Sequence, residues 1–487
     1  MTPKILLVNP NYTKKEMVRL TLKPLLELAY LKPPLGLAYL AASLEQEGFK
    51  VEILDSNIEA LSPKETAERI IRSPAQYIGF TTDTFLIPLV FQISSLVKFK
   101  SKDSKFIFIG GPHVTFMSKQ TLEDCQSIDA VVRGEGEITV CELIKKLEEG
   151  KVLFGVKGIT FRRGNKIFEN PDRKPIEDID TIPFPAWHLL PLPLYFSFRS
   201  SSFGFWKGQF ASIITSRGCP HRCVFCGSPI FWKRLRLRSP ENVISELEFL
   251  IKQYRVRYID FLDSTFNFPR ERLVKICQLI LKNGLNIKWS CDVRADNITP
   301  ELVNLMKKAG CRTIAFGVES GNQEILDRIK KNITLEQIRK AVGIAKKADL
   351  RVVCYFMIGL PGDTKKTVKQ TINFAKELNP YTAFFSPTIP LPGTALYEDY
   401  IKKGLLKRGY IWQGFYFPEK KDLNPTTLTN EEVKDLCYEA YRRFRGQPVS
   451  IGFFSVGALI LIIYYVIYCI RRFLFFNHIF YVFQNKK

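Results

Sequence analysis

The stretch Ser216-Arg-Gly-Cys-Pro-His-Arg-Cys-Val-Phe-Cys-Gly227 decides how this chain is interpreted, because it contains Cys219, Cys223 and Cys226 in a C-x3-C-x2-C pattern. The pattern directly follows an apolar run, Ala211 to Thr215. Cysteine thiolates are the usual protein ligands of iron–sulfur cages. Three thiolates without a fourth suit a cubane of four irons and four sulfides that leaves one iron free of protein. That free iron can hold a substrate or a cofactor.

Zinc bound by the three cysteines and His221 is the alternative that the spacing leaves open. Structural zinc prefers four closed tetrahedral ligands from paired C-x2-C or Cys/His units, and no second C-x2-C or finger-spaced histidine follows. A disulfide framework is disfavoured, because 11 cysteines in 487 residues is ordinary usage and an odd number. We expect most of the other eight cysteines to be small core residues: Cys125, Cys141, Cys277, Cys291, Cys311, Cys354, Cys437 and Cys469.

The first 150 residues alternate between short β-rich runs and amphipathic stretches of about a dozen residues, which predicts a doubly wound parallel sheet. Ligands of such sheets bind beyond the carboxyl ends of the strands. No G-x-G-x-x-G follows the first strand, so a dinucleotide is a poor candidate. Small residues fall at the predicted strand ends and are the candidate ligand contacts: Thr81, Thr82, Gly110, Gly111 and Gly134.

A proline-rich connection, residues 170–193, separates this region from a second alternation that starts at residue 211. Pro240 and Pro300 follow Ser239 and Thr299, an arrangement typical of helix starts. Six β/α units predict a partial barrel, whose chemistry gathers at the carboxyl ends of its strands. The predicted strands lie near 211–215, 258–262, 287–291, 313–318, 352–358 and 383–386.

Taken in order, these features resemble the radical S-adenosylmethionine (SAM) enzymes, which also place an aromatic before the third cysteine, here Phe225. The resemblance implies that Phe225 contacts the bound cofactor. The resemblance implies a [4Fe-4S] cluster whose free iron binds SAM, and an electron donor such as flavodoxin or ferredoxin. It further implies that Glu319 accepts hydrogen bonds from the SAM ribose and that Arg294 faces the SAM carboxylate. Asp263 would belong to the wall of the SAM site, and Gly359 would pack near adenine.

The first region resembles the cobalamin-binding domain that precedes many radical SAM enzymes, through Pro33 to Ala41, Gly110 to His113 and Arg133-Gly-Glu-Gly-Glu137. The resemblance implies that the glycine pair lets the backbone approach the cofactor. The D-x-H-x-x-G motif is absent, since Asn9-Pro-Asn-Tyr12 follows the first strand. Cobalamin would therefore be bound without a protein histidine, and we interpret His113 as a loop residue. A domain that has lost its cofactor is the alternative.

The tail carries no charged residue from Gly446 to Ile470, and this predicts a membrane-spanning helix. A buried core helix is the alternative. The net charge of +23 suits an anionic membrane or nucleic acid, but it is spread along the chain without an RNA-binding signature, so nucleic acid is not expected. We expect a membrane anchor with the catalytic domains in the cytoplasm.

In layout the chain most resembles the branch of the anaerobic magnesium-protoporphyrin monomethyl ester cyclase and the hopanoid-modifying enzymes. We therefore expect a radical SAM enzyme that methylates, cyclises or rearranges an unactivated carbon of a small molecule, a lipid or another membrane-associated substrate. A tRNA methylthiotransferase and a non-catalytic membrane-tethered sensor are the alternatives. The predicted division is a cobalamin-binding-like domain (1–150), linker (151–210), radical SAM barrel (211–400), helical extension (401–448), membrane helix (449–470) and basic, aromatic tail (471–487).

Overall fold

The two α/β regions form two separate sheets in the computed structural model, which describes residues 4–11, 32–197, 209–406 and 428–445. The first sheet has the order β2-β1-β3-β4-β5-β6-β7, and β1 to β5 are parallel as predicted. Its strands are β1 (Lys4–Asn9), β2 (Lys50–Asp55), β3 (Tyr77–Thr81), β4 (Phe106–Gly110), β5 (Ala130–Val132), β6 (Ile159–Arg163) and β7 (Lys166–Glu169). Its helices are α1 (Leu35–Gln46), α2 (Pro63–Arg72), α3 (Ile87–Lys100), α4 (Pro112–Phe116), α5 (Ser118–Asp124) and α6 (Glu137–Glu148).

The antiparallel hairpin β6–β7 corrects the prediction that residues 151–210 are all linker. Its two strands extend the first sheet beyond β5. The turn between them uses Gly164 at φ +57°, a conformation that glycine adopts without a Cβ penalty. The strands are short and end in charged residues, which hid their alternation. The proline-rich stretch that follows contains only 3-10 turns until α7 (Leu192–Ser197).

The second sheet has the order β15-β14-β13-β12-β11-β8, all parallel, and confirms the predicted six-stranded partial barrel. Its strands are β8 (Phe210–Ile213), β11 (Tyr258–Phe261), β12 (Lys288–Val293), β13 (Cys311–Glu319), β14 (Arg351–Ile358) and β15 (Thr382–Pro387). A two-stranded ribbon, β9 (Ser216–Arg217) and β10 (Arg236–Leu237), lies outside it. The helices are α8 (Ser228–Phe231), α9 (Pro240–Tyr254), α10 (Arg270–Lys282), α11 (Pro300–Lys308), α12 (Gln323–Arg328), α13 (Leu335–Lys347), α14 (Lys365–Leu378), α15 (Ala395–Lys402) and α16 (Asn430–Arg445).

Two barrel helices begin where their sequence predicts. The Ser239 side chain accepts a hydrogen bond from the Asn242 N–H, and the Thr299 side chain accepts one from the Leu302 N–H. In both helices a proline occupies the first turn, where its missing N–H removes no helical bond. Serine and threonine caps of this kind stabilise a helix by about 1 kcal/mol each.

Helix α1 connects the two hydrophobic cores. Leu35 and Tyr39 belong to the core of the barrel, whereas Leu37 and Ala41 belong to the core on one face of the first sheet. Residues two apart lie on opposite faces of a helix. Because one helix contributes to both cores, its burial fixes the two sheets against each other.

The predicted membrane helix, residues 449–470, and the tail after it lie outside the described residues. Within the part of the chain that is described, no helix combines the length and apolar character needed to cross a bilayer. The predicted helical extension, residues 401–448, is represented by the last two residues of α15 and by α16. The Tyr441 hydroxyl of α16 accepts a hydrogen bond from the Phe385 N–H of β15 over 3.1 Å.

Candidate functional site

The three motif cysteines lie on one loop, residues 218–227, between β9 and α8; we refer to it as the cysteine loop. Gly218 opens the loop at φ +97°, and a Cβ there would lie 2.5 Å from the Arg234 carbonyl oxygen, so only glycine fits. The Cys226 N–H donates to the Cys223 carbonyl over 3.1 Å, which keeps the turn tight. All three thiols are free of disulfides and partly exposed.

The middle of the cysteine loop is fixed by backbone hydrogen bonds on both sides. The Val224 N–H donates to the Ile329 carbonyl over 3.1 Å, and the Val224 carbonyl accepts from the Leu396 N–H over 2.9 Å. Phe225 packs partly buried against both the barrel core and the small core around Tyr397. The structure therefore gives Phe225 an anchoring role, and its predicted contact with a cofactor stays a prediction.

Two cations act on the thiols of this loop. Burial raises the pKa of the Cys223 thiol, and the charges of Lys331 and Arg294 act in the opposite direction. Burial also raises the pKa of Cys226, which the neighbouring cysteines raise further. Iron binds the thiolate and not the thiol, so nearby positive charge favours the ligand form. The donor set and its electrostatic surroundings fit a [4Fe-4S] cluster.

The zinc alternative does not fit this geometry. Among the described residues, which include His221 and the three cysteines, no three His, Cys, Asp or Glu side chains are placed to hold a single metal ion. A tetrahedral zinc site needs its donors to converge on one centre, whereas each cysteine of a cubane binds a different iron. His221 instead lies edge-on to Phe268, with ring centroids 6.3 Å apart, and burial and the Arg294 charge lower its pKa.

Glu319 ends β13 and forms a buried ion pair with Lys331, Nζ to Oε1, over 2.7 Å. Its backbone is at φ +66°, just after a register shift between β13 and β14. Left-handed backbone at a non-glycine residue is uncommon and occurs preferentially at functional sites. The pair also lies over Gly317, where a Cβ would come within 2.6 Å of Glu319 and 2.9 Å of Lys331. The predicted SAM residue is therefore placed at the strand end, with a partner that the motifs did not indicate.

Arg294 lies at the end of β12 as predicted, but its guanidinium is engaged within the protein. It contacts the Asp296 carboxylate over 2.9 Å and the Lys331 carbonyl over 2.8 Å. Asn267 fixes its backbone in both directions, accepting from the Arg294 N–H and donating to the Arg294 carbonyl. Arg294 therefore positions the segment that carries Lys331, and its predicted contact with a SAM carboxylate stays a prediction.

Asp263 faces β8 and the start of the cysteine loop. Its carboxylate accepts hydrogen bonds from the Thr215 N–H at 3.3 Å, from the Thr215 hydroxyl at 2.9 Å and from the Ser216 hydroxyl. Burial raises its pKa, and the nearby Arg272 acts against that rise. The predicted wall position is therefore a positioning residue that holds the residues leading into the cysteine loop.

Gly359 begins a turn at the end of β14, with φ +86°. The buried Asp363 carboxylate accepts hydrogen bonds from the Gly359 N–H at 3.0 Å and from the Leu360 N–H at 2.9 Å. Burial raises the pKa of Asp363, and these hydrogen bonds lower it. The turn places residue 359 at the same edge of the barrel as Glu319, and its predicted packing near adenine stays a prediction.

The predicted contacts of the first domain gather at the carboxyl edge of its sheet. The Thr82 N–H donates to the Gly110 carbonyl over 2.8 Å, which joins the ends of β3, where Thr81 is the last residue, and β4. Gly134 has φ +68° and no atom within 4 Å of where a Cβ would lie, so space remains at this point of the edge.

Gly111 makes a close contact within the protein at this edge, and its predicted approach to a cofactor stays a prediction. It has φ +123°, and a Cβ there would lie 2.0 Å from the Thr82 carbonyl oxygen. The close approach that requires glycine is therefore made within the protein, between the ends of β3 and β4, and does not by itself provide space for a cofactor.

The expectation that His113 is a loop residue is wrong, because His113 lies in α4. It is buried, with Nδ1 3.1 Å from the Thr84 hydroxyl, and burial lowers its pKa to about 4. The expectation that His113 is not an axial ligand of cobalamin stays a prediction.

The charged side chains of the Arg133 to Glu137 motif are engaged within the protein. Glu135 forms ion pairs with Arg217 at 2.5 Å and with Arg236 at 2.6 Å, and Glu137 pairs with Arg217 as well. All four side chains are at most 9% exposed. We call these four residues the interdomain brace, since the glutamates follow β5 of the first sheet and the arginines flank the cysteine loop on the ribbon β9–β10. Arg217 is only two residues from Cys219.

Sequence reasoning missed Lys331 and the partners of the brace. Lys331 is 7% exposed yet belongs to a chain with 71 lysines and arginines, where nothing separates it from surface lysines. Arg217 lies inside the cysteine motif, but its ion pairs with the first domain could not be predicted from the sequence. The position of Arg217, two residues before Cys219, was the one sequence feature that indicated a role near the cysteine loop.

Comparisons with known proteins agree with this architecture. A family model described as the Radical SAM superfamily matches residues 213–375, and one described as the B12 binding domain matches residues 24–144. An uncharacterised methyltransferase of Pyrococcus horikoshii is 37% identical over 417 residues, which cover 85% of this chain and 88% of that protein. The anaerobic magnesium-protoporphyrin IX monomethyl ester cyclase of Rubrivivax gelatinosus is 29% identical over 448 residues, covering 91% and 77%.

Among solved structures, the chain is similar to the radical SAM methyltransferase TsrM of Kitasatospora setae with cobalamin and a [4Fe-4S] cluster bound. The TM-score is 0.67 at 20% sequence identity, covering 83% of this chain and 78% of that one. At this identity the likeness concerns the fold: a parallel sheet domain joined to a partial barrel.

Proposed function

Because the chain belongs to the radical SAM superfamily and carries a B12-binding domain, we propose that it is a cobalamin-dependent radical SAM methyltransferase acting on an unactivated carbon. Cys219, Cys223 and Cys226 would hold the [4Fe-4S] cluster. When bound, the cluster would supply the electron for reductive cleavage of SAM, and cobalamin would serve as the carrier of the methyl group. The single observation that carries the proposal is the loop of three free cysteines at the carboxyl edge of a six-stranded parallel barrel.

The side chains of this chain bind, orient and shield in that scheme. Lys331 and Arg294 place positive charge beside the thiols, which favours their ligand form. Glu319, held by Lys331, presents a carboxylate at the end of β13, where hydroxyl groups of a ribose would donate to it. The backbone bonds of Val224 keep the loop in place, so little reorganisation is needed when the site is filled.

The first domain would hold cobalamin at its carboxyl edge, over Thr81, Thr82, Gly110, Gly111 and Gly134. The open space at Gly134 supports this assignment. The absence of a histidine in the segment after β1, Asn9-Pro-Asn-Tyr12, and the burial of His113 support cobalamin bound without a protein imidazole. The brace residues Glu135 and Glu137 would keep this edge turned toward the cysteine loop.

Anaerobic reconstitution of the full-length protein tests the proposal. We expect about four irons and four sulfides per chain, cobalamin bands in the ultraviolet-visible spectrum, and 5′-deoxyadenosine after reduction with SAM. Cyclase chemistry would be separated by SAM labelled in its methyl group, because only methylation moves the label into product. An intact cluster with no 5′-deoxyadenosine would contradict the proposal and favour a sensor.

Membrane attachment is a second part of the proposal, and its support is the uncharged stretch from Gly446 to Ile470. A stretch of this length spans a bilayer as a helix. The catalytic body would then lie on the cytoplasmic side, where an electron donor such as flavodoxin or ferredoxin is present, and the substrate would be a lipid or another membrane-associated molecule. Carbonate washing of membranes should leave the full-length chain in the pellet; its release would contradict insertion.

A further inference from the structure

The inner face of the barrel sheet carries polar side chains where most barrels are filled by branched apolar residues. Along β11, Ile259 and Phe261 belong to the core that faces the helices, so Asp260 between them points to the inner face. Asp292 lies between Cys291 and Val293 of β12 in the same way. We call Asp260 and Asp292 the barrel acid pair. Asp260 and Ser290 are register partners on neighbouring strands, and Ser290 donates a hydrogen bond to Asp260.

Four polar atoms around the barrel acid pair have no hydrogen-bond partner among the described residues. Two are carboxylate oxygens, Asp260 Oδ2 and Asp292 Oδ1. The others are the hydroxyls of Ser212 and Thr313, whose residues are 0% exposed. Asp260 itself is 8% exposed. Strand register brings these groups together, because Ser212 is the partner of Asp260 and Thr313 is the partner of Ser290. A buried polar group left without a partner costs about 1 to 3 kcal/mol, so four neighbouring groups indicate that something absent from the polypeptide satisfies them.

The charge balance of this region restricts what that partner is. Neither carboxylate of the barrel acid pair has a Lys, Arg or His nitrogen within 4 Å in the described part of the chain. Lys32 is close enough to act on Asp292 but forms no ion pair with it at that distance. Buried carboxylates without a cation are costly. A partner that is both positive and rich in hydrogen-bond donors would offset this cost.

A metal ion held by three or more His, Cys, Asp or Glu side chains is not that partner. No three His, Cys, Asp or Glu side chains of the described residues are arranged to hold one. A protonated primary amine fits better, because it carries one positive charge and three N–H donors. Those donors match the two free carboxylate oxygens and one of the two hydroxyls.

The barrel acid pair is connected to the cysteine loop through charged neighbours. Tyr355 lies on β14 between the core residues Cys354 and Phe356, so its side chain is on the same inner face as the barrel acid pair. Tyr355 stacks on Phe384, with ring centroids 5.7 Å apart, and this gives the inner face an apolar side. Glu319 in turn contacts Lys331 beside the thiols. A substrate held at the pair would therefore reach toward the cysteine loop.

We propose that the inner face of the barrel, at Asp260 and Asp292, binds a protonated primary amine of the substrate. This proposal rests on the proposed function for the chemistry that follows binding, and it narrows the substrate class to amine-bearing molecules. Tyr355 and Phe384 would cover the carbon chain next to the amine. Asp292, which keeps part of its surface exposed, lies on the entry side.

Binding of small probes to the reconstituted full-length protein tests the proposal without the substrate. Butylammonium offers charge and N–H donors, butyltrimethylammonium offers charge without donors, and butan-1-ol offers a donor without charge. We expect butylammonium to bind at least about tenfold more tightly than either of the others, since a charged hydrogen bond contributes about 1.5 to 3 kcal/mol. Isothermal titration under anaerobic conditions measures the three dissociation constants.

Asp260→Asn and Asp292→Asn should each weaken butylammonium binding at least about tenfold. The melting temperature should stay the same or rise, because each change removes an uncompensated buried charge. Asp129→Asn is the matched control: this carboxylate is partly buried but lies in the first domain, paired with Lys98, and its loss should leave amine binding unchanged.

Three results would overturn the amine site: no butylammonium binding to the wild type, equal affinity for the three probes, or unchanged affinity in both Asp variants. The last would mean that water fills the inner face. Iron content and 5′-deoxyadenosine are measured on the same samples. If the wild type binds amine but cleaves no SAM, the proposed function fails and the amine site stands.

Discussion

The carboxyl edges of the two sheets carry the candidate ligand contacts of their domains, but they are stabilised by different interactions. At the first edge the ends of β3 and β4 are joined by backbone hydrogen bonds and by a glycine that no other residue can replace, Gly111 against Thr82. The barrel edge is instead stabilised by buried ion pairs, such as Glu319–Lys331. A backbone-built edge suits a large ligand recognised by shape, and a charged edge suits thiolates and a zwitterionic ligand. Substitutions at each edge test whether this division holds.

The largest expected effect is at the cysteine loop. Replacing Cys219, Cys223 or Cys226 singly by Ala should abolish the brown absorbance and the cleavage of SAM together, because a cubane needs all three thiolates. Anaerobic ultraviolet-visible spectra and a 5′-deoxyadenosine assay measure both. Cys277→Ala and Cys437→Ala are the controls and should keep them, since Cys277 is a buried core thiol and Cys437 packs against that core. Iron retained at full stoichiometry in a loop variant would argue against this ligand set.

The next effect tests the charged edge. Lys331→Met leaves the Glu319 carboxylate buried without its cation, and breaking a buried pair in this way costs about 3 to 5 kcal/mol of unfolding free energy. The double variant Glu319→Gln, Lys331→Met should recover most of that stability but not SAM cleavage. Denaturant unfolding and the 5′-deoxyadenosine assay separate the two quantities. Recovery of cleavage in the double variant would show that the pair is only structural.

The sequence predicted local features of the two edges well and their long-range partners poorly, and the reason is physical. The strand ends and their residues followed from local patterns: the six barrel strands, the cysteine loop, and Glu319 at the end of β13 were all found where expected. The partners of those residues were not, because Lys331 and Arg217 meet their carboxylates only after the chain has folded. The hairpin β6–β7 was missed for the opposite reason, since its strands are too short and too charged to show an alternation.

A third prediction tests the backbone-built edge by comparing two glycines. Gly111→Ala should lower the unfolding free energy by at least about 3 kcal/mol and abolish cobalamin binding, because its Cβ would lie 2.0 Å from a backbone oxygen. Gly134→Ala meets nothing within 4 Å and should cost only about 1 kcal/mol for its positive φ. Thermal unfolding and cobalamin titration measure both. Equal losses of unfolding free energy and of cobalamin binding in the two variants would show that the close contact at Gly111 does not distinguish it from Gly134.

The smallest effect concerns pH and the burial of His113. Its pKa is about 4 in the folded protein against an ordinary value near 6.5, so the unfolded chain binds the proton first. Its contribution to stability is complete above about pH 6.5 and is lost as the pH falls toward 4, by about 2 kcal/mol at pH 5.

The difference between wild type and His113→Gln isolates this contribution. The pH dependence of the unfolding free energy between pH 7 and 5 should be flatter in the variant. Parallel curves for the two proteins would mean that the ring takes up a proton without leaving its place beside Thr84.

The interdomain brace has a consequence for how such enzymes can be recombined. Glu135 and Glu137 follow a strand of the first domain, and their arginine partners flank the cysteine loop of the second. A chimera that exchanges the first domain for that of a relative must therefore transplant compatible acidic and basic positions together. The two domains can therefore be exchanged only if these four side chains remain compatible. In a chimera with mismatched partners, the carboxyl edges of the two domains would be misaligned even when each domain folds correctly.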